Sequence, residues 1–253
     1  MTKDANAALS REHHPDLIRQ RLRQTPKSQN ISDAVLGGID GCVTTFAVVS
    51  GVVGAGLPSS VAVILGFANL VADGFSMAIS NYESQRSSLE YVESIRRSEE
   101  RHIDEVPEGE REEIRQIFRK KGFDGEVLET IVATISEDRK LWVDTMLTEE
   151  HGIHKVPPNP WASAATTFFA FIAVGAMPLI PFLFTNLPTE QTFVYSACVA
   201  GIMFFMIGML KSFVFRKPML VSGLRTLLTG GTAAGLAFYT GNLLRDVFGI
   251  AGL

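Results

Sequence analysis

Cysteine is nearly absent from this chain of 253 residues, with only Cys42 and Cys198 present. Both fall in apolar stretches, so no disulfide framework is indicated. Charge of one sign is missing too. Lys and Arg number 23 against 27 Asp and Glu, a net charge of -4 that suggests no nucleic-acid partner. No Walker-type phosphate loop occurs, which argues against direct use of ATP. The first thirty residues lack the apolar centre of a cleavable signal, and residues 1–30 read as a mostly disordered leader. Two stretches, 163–187 and 192–210, contain no Asp, Glu, Lys or Arg at all. Such runs exclude an ordinary water-soluble fold.

Apolar residues are gathered into five blocks, 33–57, 59–82, 163–187, 192–210 and 219–244. Each is close to the ~20 residues that cross a bilayer as a helix. The fifth is diluted by Arg225 and several glycines. The expected fold is therefore all-α: a polytopic membrane protein of five transmembrane helices. Transmembrane helices 1 and 2 occupy 31–85, and 3 to 5 occupy 159–250. Lys and Arg cluster before residue 33 and between the fourth and fifth blocks, at Lys211, Arg216 and Lys217. That bias puts the N-terminus inside and the C-terminus outside. Arg225 is expected to pair with an acid or to reach the cytoplasmic surface. Pro178 and Pro181 should kink the third span.

Between the second and third spans, residues 83–160 hold 19 of the acids and 12 of the basic residues. This insert reads as a solvated, cytoplasmic helical domain over 86–158. Glu83 to Glu105 contains neither Pro nor Gly, so the second span should continue out of the membrane as one long helix ended by Pro107 and Gly109. A second helix is expected over Glu110–Lys121, with Ile114, Ile117 and Phe118 on one face and Gly122 as its stop. A third should run from Gly125 to Glu150, with a break near Ser136. Pro157, Pro158 and Pro160 close the domain.

A carboxylate at membrane depth costs ~2.5 to 3.5 kcal/mol on insertion scales and usually marks a pathway. Asp40 is such a group. It shares a stripe with Asp33, Gly37 and Thr44, and the second span carries Asn69, Asp73 and Met77 at four-residue intervals. Carboxylate, amide and thioether donors together suit a borderline divalent transition metal better than Mg²⁺ or Ca²⁺. Taken singly, Met77 also fits core packing, Asn69 an interhelical hydrogen bond, and Asp33 an N-cap of the first span. In the insert, Glu99 with His102, Glu110 with Glu113, and Met146 with Glu150 each share one helical face. Three helices could converge these pairs into a metal-gathering site, or leave them as a solvated charged surface. Gly37 and Gly41 form a small-xxx-small pair consistent with a close helix contact in a dimer.

These residues carry a resemblance. Gly38-Ile39-Asp40-Gly41 with Thr44 to Phe46, the run Ala72-Asp73-Gly74-Phe75-Ser76-Met77, and Met177-Pro178-Leu179-Ile180-Pro181 resemble the vacuolar iron transporter family, in order, over roughly 31–245. The resemblance implies five transmembrane helices, a homodimer in the bilayer, and export of Fe²⁺, often also Mn²⁺, from the cytosol in exchange for protons. It implies no prosthetic group and no enzymatic activity. It assigns Asp40 and Met77 to a path between protomers. A glutamate of the family's second helix corresponds here to Asn69, with Asp73 one turn on as a substitute. It assigns Glu99, His102, Glu110, Glu113, Met146 and Glu150 to metal binding in the cytoplasmic module, with His102 in place of a glutamate. The membrane is a bacterial inner membrane or an organellar one. Two rival classes stay open: a membrane-bound metal sensor, and a di-iron carboxylate enzyme, for which Glu99-x-x-His102 supplies one half of the usual motif and nothing supplies the other.

Overall fold

In the computed structural model, residues 13–23, 28–154, 157–184, 187–215 and 218–249 are described. Every regular element among them is helical. In chain order these are α1 (Pro15–Arg23), α2 (Ser28–Gly54), α3 (Ser59–Glu105), α4 (Pro107–Lys120), α5 (Gly125–Glu137), α6 (Arg139–Glu149), α7 (Pro160–Gly175), a 3-10 turn at Met177–Leu179, α8 (Ile180–Phe184), α9 (Thr189–Phe215) and α10 (Met219–Phe248). The leader expected to be disordered thus contains a helix, α1; residues 1–12 and 24–27 lie outside the described residues. Two compact units result. One comprises the residues up to Gly74 and those from Thr166 on, and the other is Phe75–Ala165.

Among the described residues four helical stretches are long and apolar enough to cross a membrane: Asn30–Gly54, Ser59–Glu105, Pro160–Phe184 and Thr189–Ser212. The fifth expected span is a helix of 30 residues, α10, whose Arg225, glycines and threonines lower its hydropathy below that of the others. Glycines set the packing of the first unit. A Cβ added at Gly41 would lie 3.0 Å from the Phe171 Cα, and one at Gly37 3.2 Å from the Thr167 Cα, so α2 and α7 touch backbone to backbone. The small-xxx-small pair is therefore used within the chain. It gives no support to a dimer, contrary to the sequence reading, because sequence shows the small residues but not the helix that meets them. At the other crossing, a Cβ on Gly208 would lie 2.7 Å from the Gly223 Cα, which holds α9 against α10.

The expected interruption of the third span is present. Pro178 and Pro181 remove two backbone donors, α7 gives way to the 3-10 turn, and the buried Ser196 hydroxyl donates to the Pro178 carbonyl at 2.6 Å. Asp33 departs from its expected role. It lies inside α2, which begins five residues earlier at Ser28, and is 4 % exposed, so it is no N-cap.

The second unit follows from its punctuation. α3 runs unbroken for 47 residues, about 70 Å, as the lack of Pro and Gly in its second half requires. Pro107 then occupies the first turn of α4, where a missing N–H is harmless, and Gly122 at φ +95° ends that helix. The break expected near Ser136 falls at Asp138, whose carboxylate accepts from the backbone N–H groups of Lys140 at 2.9 Å and Leu141 at 3.2 Å and so starts α6. Ile103, Ile114, Leu128, Val132, Trp142 and Met146 build the apolar centre, with Ile117 and Phe118 packed at its margin. Arg96 with Asp144 at 2.9 Å and Arg115 with Glu129 at 2.8 Å brace its surface.

Candidate metal centres

In the second unit, three chain segments deliver acids and imidazoles to one place. The end of α3 contributes Glu99 and His102, one turn apart. Because α4 restarts immediately after Val106, its first turns carry Glu110 back toward His102, and the two side chains stand 3.5 Å apart, Nδ1 to Oε1. His102 Nδ1 is also 3.9 Å from Glu99 Oε1, while the opposite ring nitrogen lies 3.5 Å from the Ser98 hydroxyl. That second contact orients the ring so that Nδ1 faces the acids. Past the end of α6, His151 Nε2 stands 3.0 Å from Glu99 Oε1 and 3.6 Å from Glu150 Oε2, and the chain then turns at Gly152, at φ +68°.

Two overlapping donor groups share Glu99. Glu99, His102 and Glu110 form one, Glu99, Glu150 and His151 the other, and within each the donor atoms all lie within 4.8 Å of one another. Ligands ~2.0–2.2 Å from a common ion would stand somewhat closer than that, so small side-chain rotations suffice.

Electrostatics favour a cation here. Glu99 and Glu110 are each only 3 % exposed, and an oxygen of each, Oε2, has no hydrogen-bond partner among the described residues. A buried carboxylate oxygen left unpaired is expensive, and a metal ion is the partner that would satisfy both. Burial, reinforced by the negative charges of Glu113, Glu99 and Glu150, pushes the Glu110 carboxyl up to about 7, with His151 opposing the rise. Glu150 is raised for the same reasons, burial first and Glu113 next. The exposed Glu113 thus acts on the cluster through its charge. Met146 is fully buried in the apolar centre; its carbonyl accepts from the backbone N–H groups of Glu150 at 3.0 Å and His151 at 3.3 Å, which fixes where both begin.

In the first unit, Asp40 borders a cavity of about 320 Å³ lined by Ile31, Ser32, Val35, Leu36, Ile39 and Lys211. Its carboxylate lies within electrostatic reach of Asp73. Thr44 donates its hydroxyl to the Asp40 carbonyl at 2.9 Å, so that side chain is occupied by its own helix. Asn69 and Asp73, both half-buried, lie one turn apart on α3 in this unit, and Met77, also half-buried, follows four residues on along the same helix, within the second unit.

With this geometry in hand, comparison with known proteins is decisive. A profile of the VIT family matches residues 31–242. The chain belongs to the VIT family. Its relatives include the vacuolar iron transporter of Toxoplasma gondii, 33% identical over 88% of this chain and 76% of that protein. The vacuolar iron transporter of Centaurea cyanus is 28% identical over 88% and 91%, and vacuolar iron transporter 1 of Oryza sativa subsp. japonica is 27% identical over 93% and 91%. This VIT protein is accordingly a multi-pass membrane protein of a metal-transporter family.

One residue of the VIT chain's acid cluster escaped the sequence reading. His151 lies just past the end of α6, at no helical spacing from Glu99, and is held at the helix end by its backbone N–H bond to the Met146 carbonyl. An imidazole directly after a metal-ligand candidate and directly before a helix-stopping glycine was the available signal.

Proposed function

We propose that this protein moves Fe²⁺, with Mn²⁺ as a second cargo, out of the cytosol in exchange for protons. In this reading α10 is a fifth span, two copies form a homodimer, and the N-terminus and the acidic module face the cytoplasm, in a bacterial inner membrane or an organellar one. The observation that carries the reading is the donor cluster of Glu99, His102, Glu110, Glu150 and His151, built around the buried carboxylates Glu99 and Glu110, on a chain with membrane-crossing helices. The similarity to vacuolar iron transporters supports it.

The module gathers the ion. Glu99, Glu110 and Glu150 neutralise its charge, the two imidazoles add borderline nitrogen donors, Glu113 raises the local negative potential, and the Met146 thioether is the soft donor nearest in sequence. The ion then passes to Asp40 and Met77 between the protomers, with Asp73 and Asn69 on the same face as Met77. Metal and proton compete for the same carboxylates, so binding one expels the other, and a proton gradient can drive the metal uphill.

Proteoliposomes loaded with a pH-sensitive dye test the reading when Fe²⁺ or Mn²⁺ is added under an imposed proton gradient. Asp40→Ala and Met77→Ala should abolish metal-dependent proton movement, whereas deletion of residues 90–155 should only weaken it. Unchanged proton movement in Asp40→Ala would reject the path. Metal-dependent signalling without flux would favour a sensor instead.

A further inference from the structure

Lys211 near the end of α9 and Arg225 in the second turn of α10 line one cavity of about 220 Å³, together with Ser212, Ser222 and Thr226. No acid lines it, and neither cation makes an ion pair among the described residues. Arg225 lies only about 9 Å along the helix from Met219, within reach of a headgroup region for a side chain of its length. The cavity lies beside the glycine crossing. The Gly208–Gly223 contact brings the α9 and α10 backbones together, and a Cβ on Gly208 would lie 2.8 Å from the Thr226 hydroxyl.

A second cavity, of about 380 Å³, begins where the first ends and shares Val221 and Arg225 with it. It continues past Leu224, Leu228 and Thr232, residues that recur at helical spacing and form a single stripe of α10. From Val221 to Thr232 the groove runs about 16 Å along the helix, comparable to an acyl chain. Val221, Leu224 and Leu228 are 60%, 52% and 63% exposed. A two-cation pocket lined with hydroxyls thus opens onto an apolar groove of chain length.

We infer that this paired feature binds an anionic phospholipid, its phosphate held by Lys211 and Arg225 and one acyl chain laid along Val221, Leu224 and Leu228. A cation facing hydrocarbon needs a counter-charge, and no described residue supplies one here; an anionic lipid of the bilayer would. A free phosphate would satisfy the cations but leave the groove without purpose. The inference rests on α10 lying in the bilayer, part of the proposed function, but not on transport. Lys211 also lines the Asp40 cavity, so the two cavities share one cation.

Native mass spectrometry of the full chain, released from micelles containing phosphatidylglycerol and phosphatidylcholine, measures retention without any flux assay. The parent should retain the anionic lipid preferentially. Each of Lys211→Gln and Arg225→Gln should lower that preference about fivefold, and the double change about twenty-fivefold. Lys211→Arg and Arg225→Lys should keep most of it, separating lost charge from lost folding. Val221→Asn with Leu228→Asn should lower it as well. Equal lipid preference in the parent and the double glutamine variant would overturn the inference, as would displacement of the lipid by millimolar inorganic phosphate alone. If the site binds lipid normally in a protein that moves no metal, only the transport reading fails.

Discussion

Replacing Glu110 by Gln should make the module more stable and worse at holding metal. The carboxyl is 3 % exposed, faces His102 at 3.5 Å, and shares its surroundings with Glu99, Glu113 and Glu150. Its folded-state value of about 7 lies above the ordinary 4.5. The native state therefore binds the proton more tightly than the unfolded chain, and the associated stability, complete below about 4.5, is lost as pH rises through about 7. The full gap corresponds to at most about 3 kcal/mol, and water reaching the His102 side of the cluster screens part of it, leaving about 1–2 kcal/mol. Asp104, Glu112 and Glu129 are lowered by hydrogen bonds to Arg139, Gln116 with Arg115, and Arg115, so they titrate below this window. Trp142, 3 % exposed in the apolar centre, reports on the module once Trp161 is changed to Phe. Urea unfolding of the full chain in detergent, metal-free and followed by Trp142 fluorescence, should show the parent losing stability between pH 5 and 8. Glu110→Gln should keep only the shallower loss that the raised Glu150 contributes, and should be about 1–2 kcal/mol more stable than the parent at pH 8. Saturating Mn²⁺ should restore the parent more than the variant. Parallel pH profiles, or a less stable variant at pH 8, would refute the reasoning.

Other consequences are as direct. His151→Ala should weaken metal binding to the full chain by about tenfold or more in calorimetry, with Trp142 unfolding little changed, since the side chain is 25% exposed and outside the apolar centre. Asp138→Ala removes the two bonds that begin α6 and should lower module stability by about 1 kcal/mol in the same urea assay. Leu128→Ala, at 2 % exposure, should lower it by about 2–5 kcal/mol. Gly41→Val should prevent close approach of α2 to Phe171 and abolish the monodisperse peak in size-exclusion chromatography, while Gly231→Ala, with open space around it, should not.

Residue types that act locally were legible before any coordinates. Uncharged blocks announce spans because hydrocarbon tolerates so little polarity, and the missing Pro and Gly after Glu83 foretell a helix running on to Glu105. Pro107, Gly122 and Pro178 acted where they stand. Spacing also nominated Glu99, His102, Glu110 and Glu150, because pairs one turn apart must share a face. What could not be read is which surface meets which. Gly37 and Gly41 reveal a close approach without naming α7 as the partner. Asp33 was assigned to a helix start that lies five residues earlier. His151 joins Glu99 across a tertiary contact that no helical period encodes.

The central claim is that proton flow is coupled to metal movement through Asp40. Vesicles holding the parent should accumulate Mn²⁺ against its own gradient when the interior is acid, and should stop at once when a protonophore collapses the pH difference. Asp40→Ala vesicles, tested side by side, should do neither. Uphill Mn²⁺ accumulation that survives Asp40→Ala, or that ignores the protonophore in the parent, would contradict it.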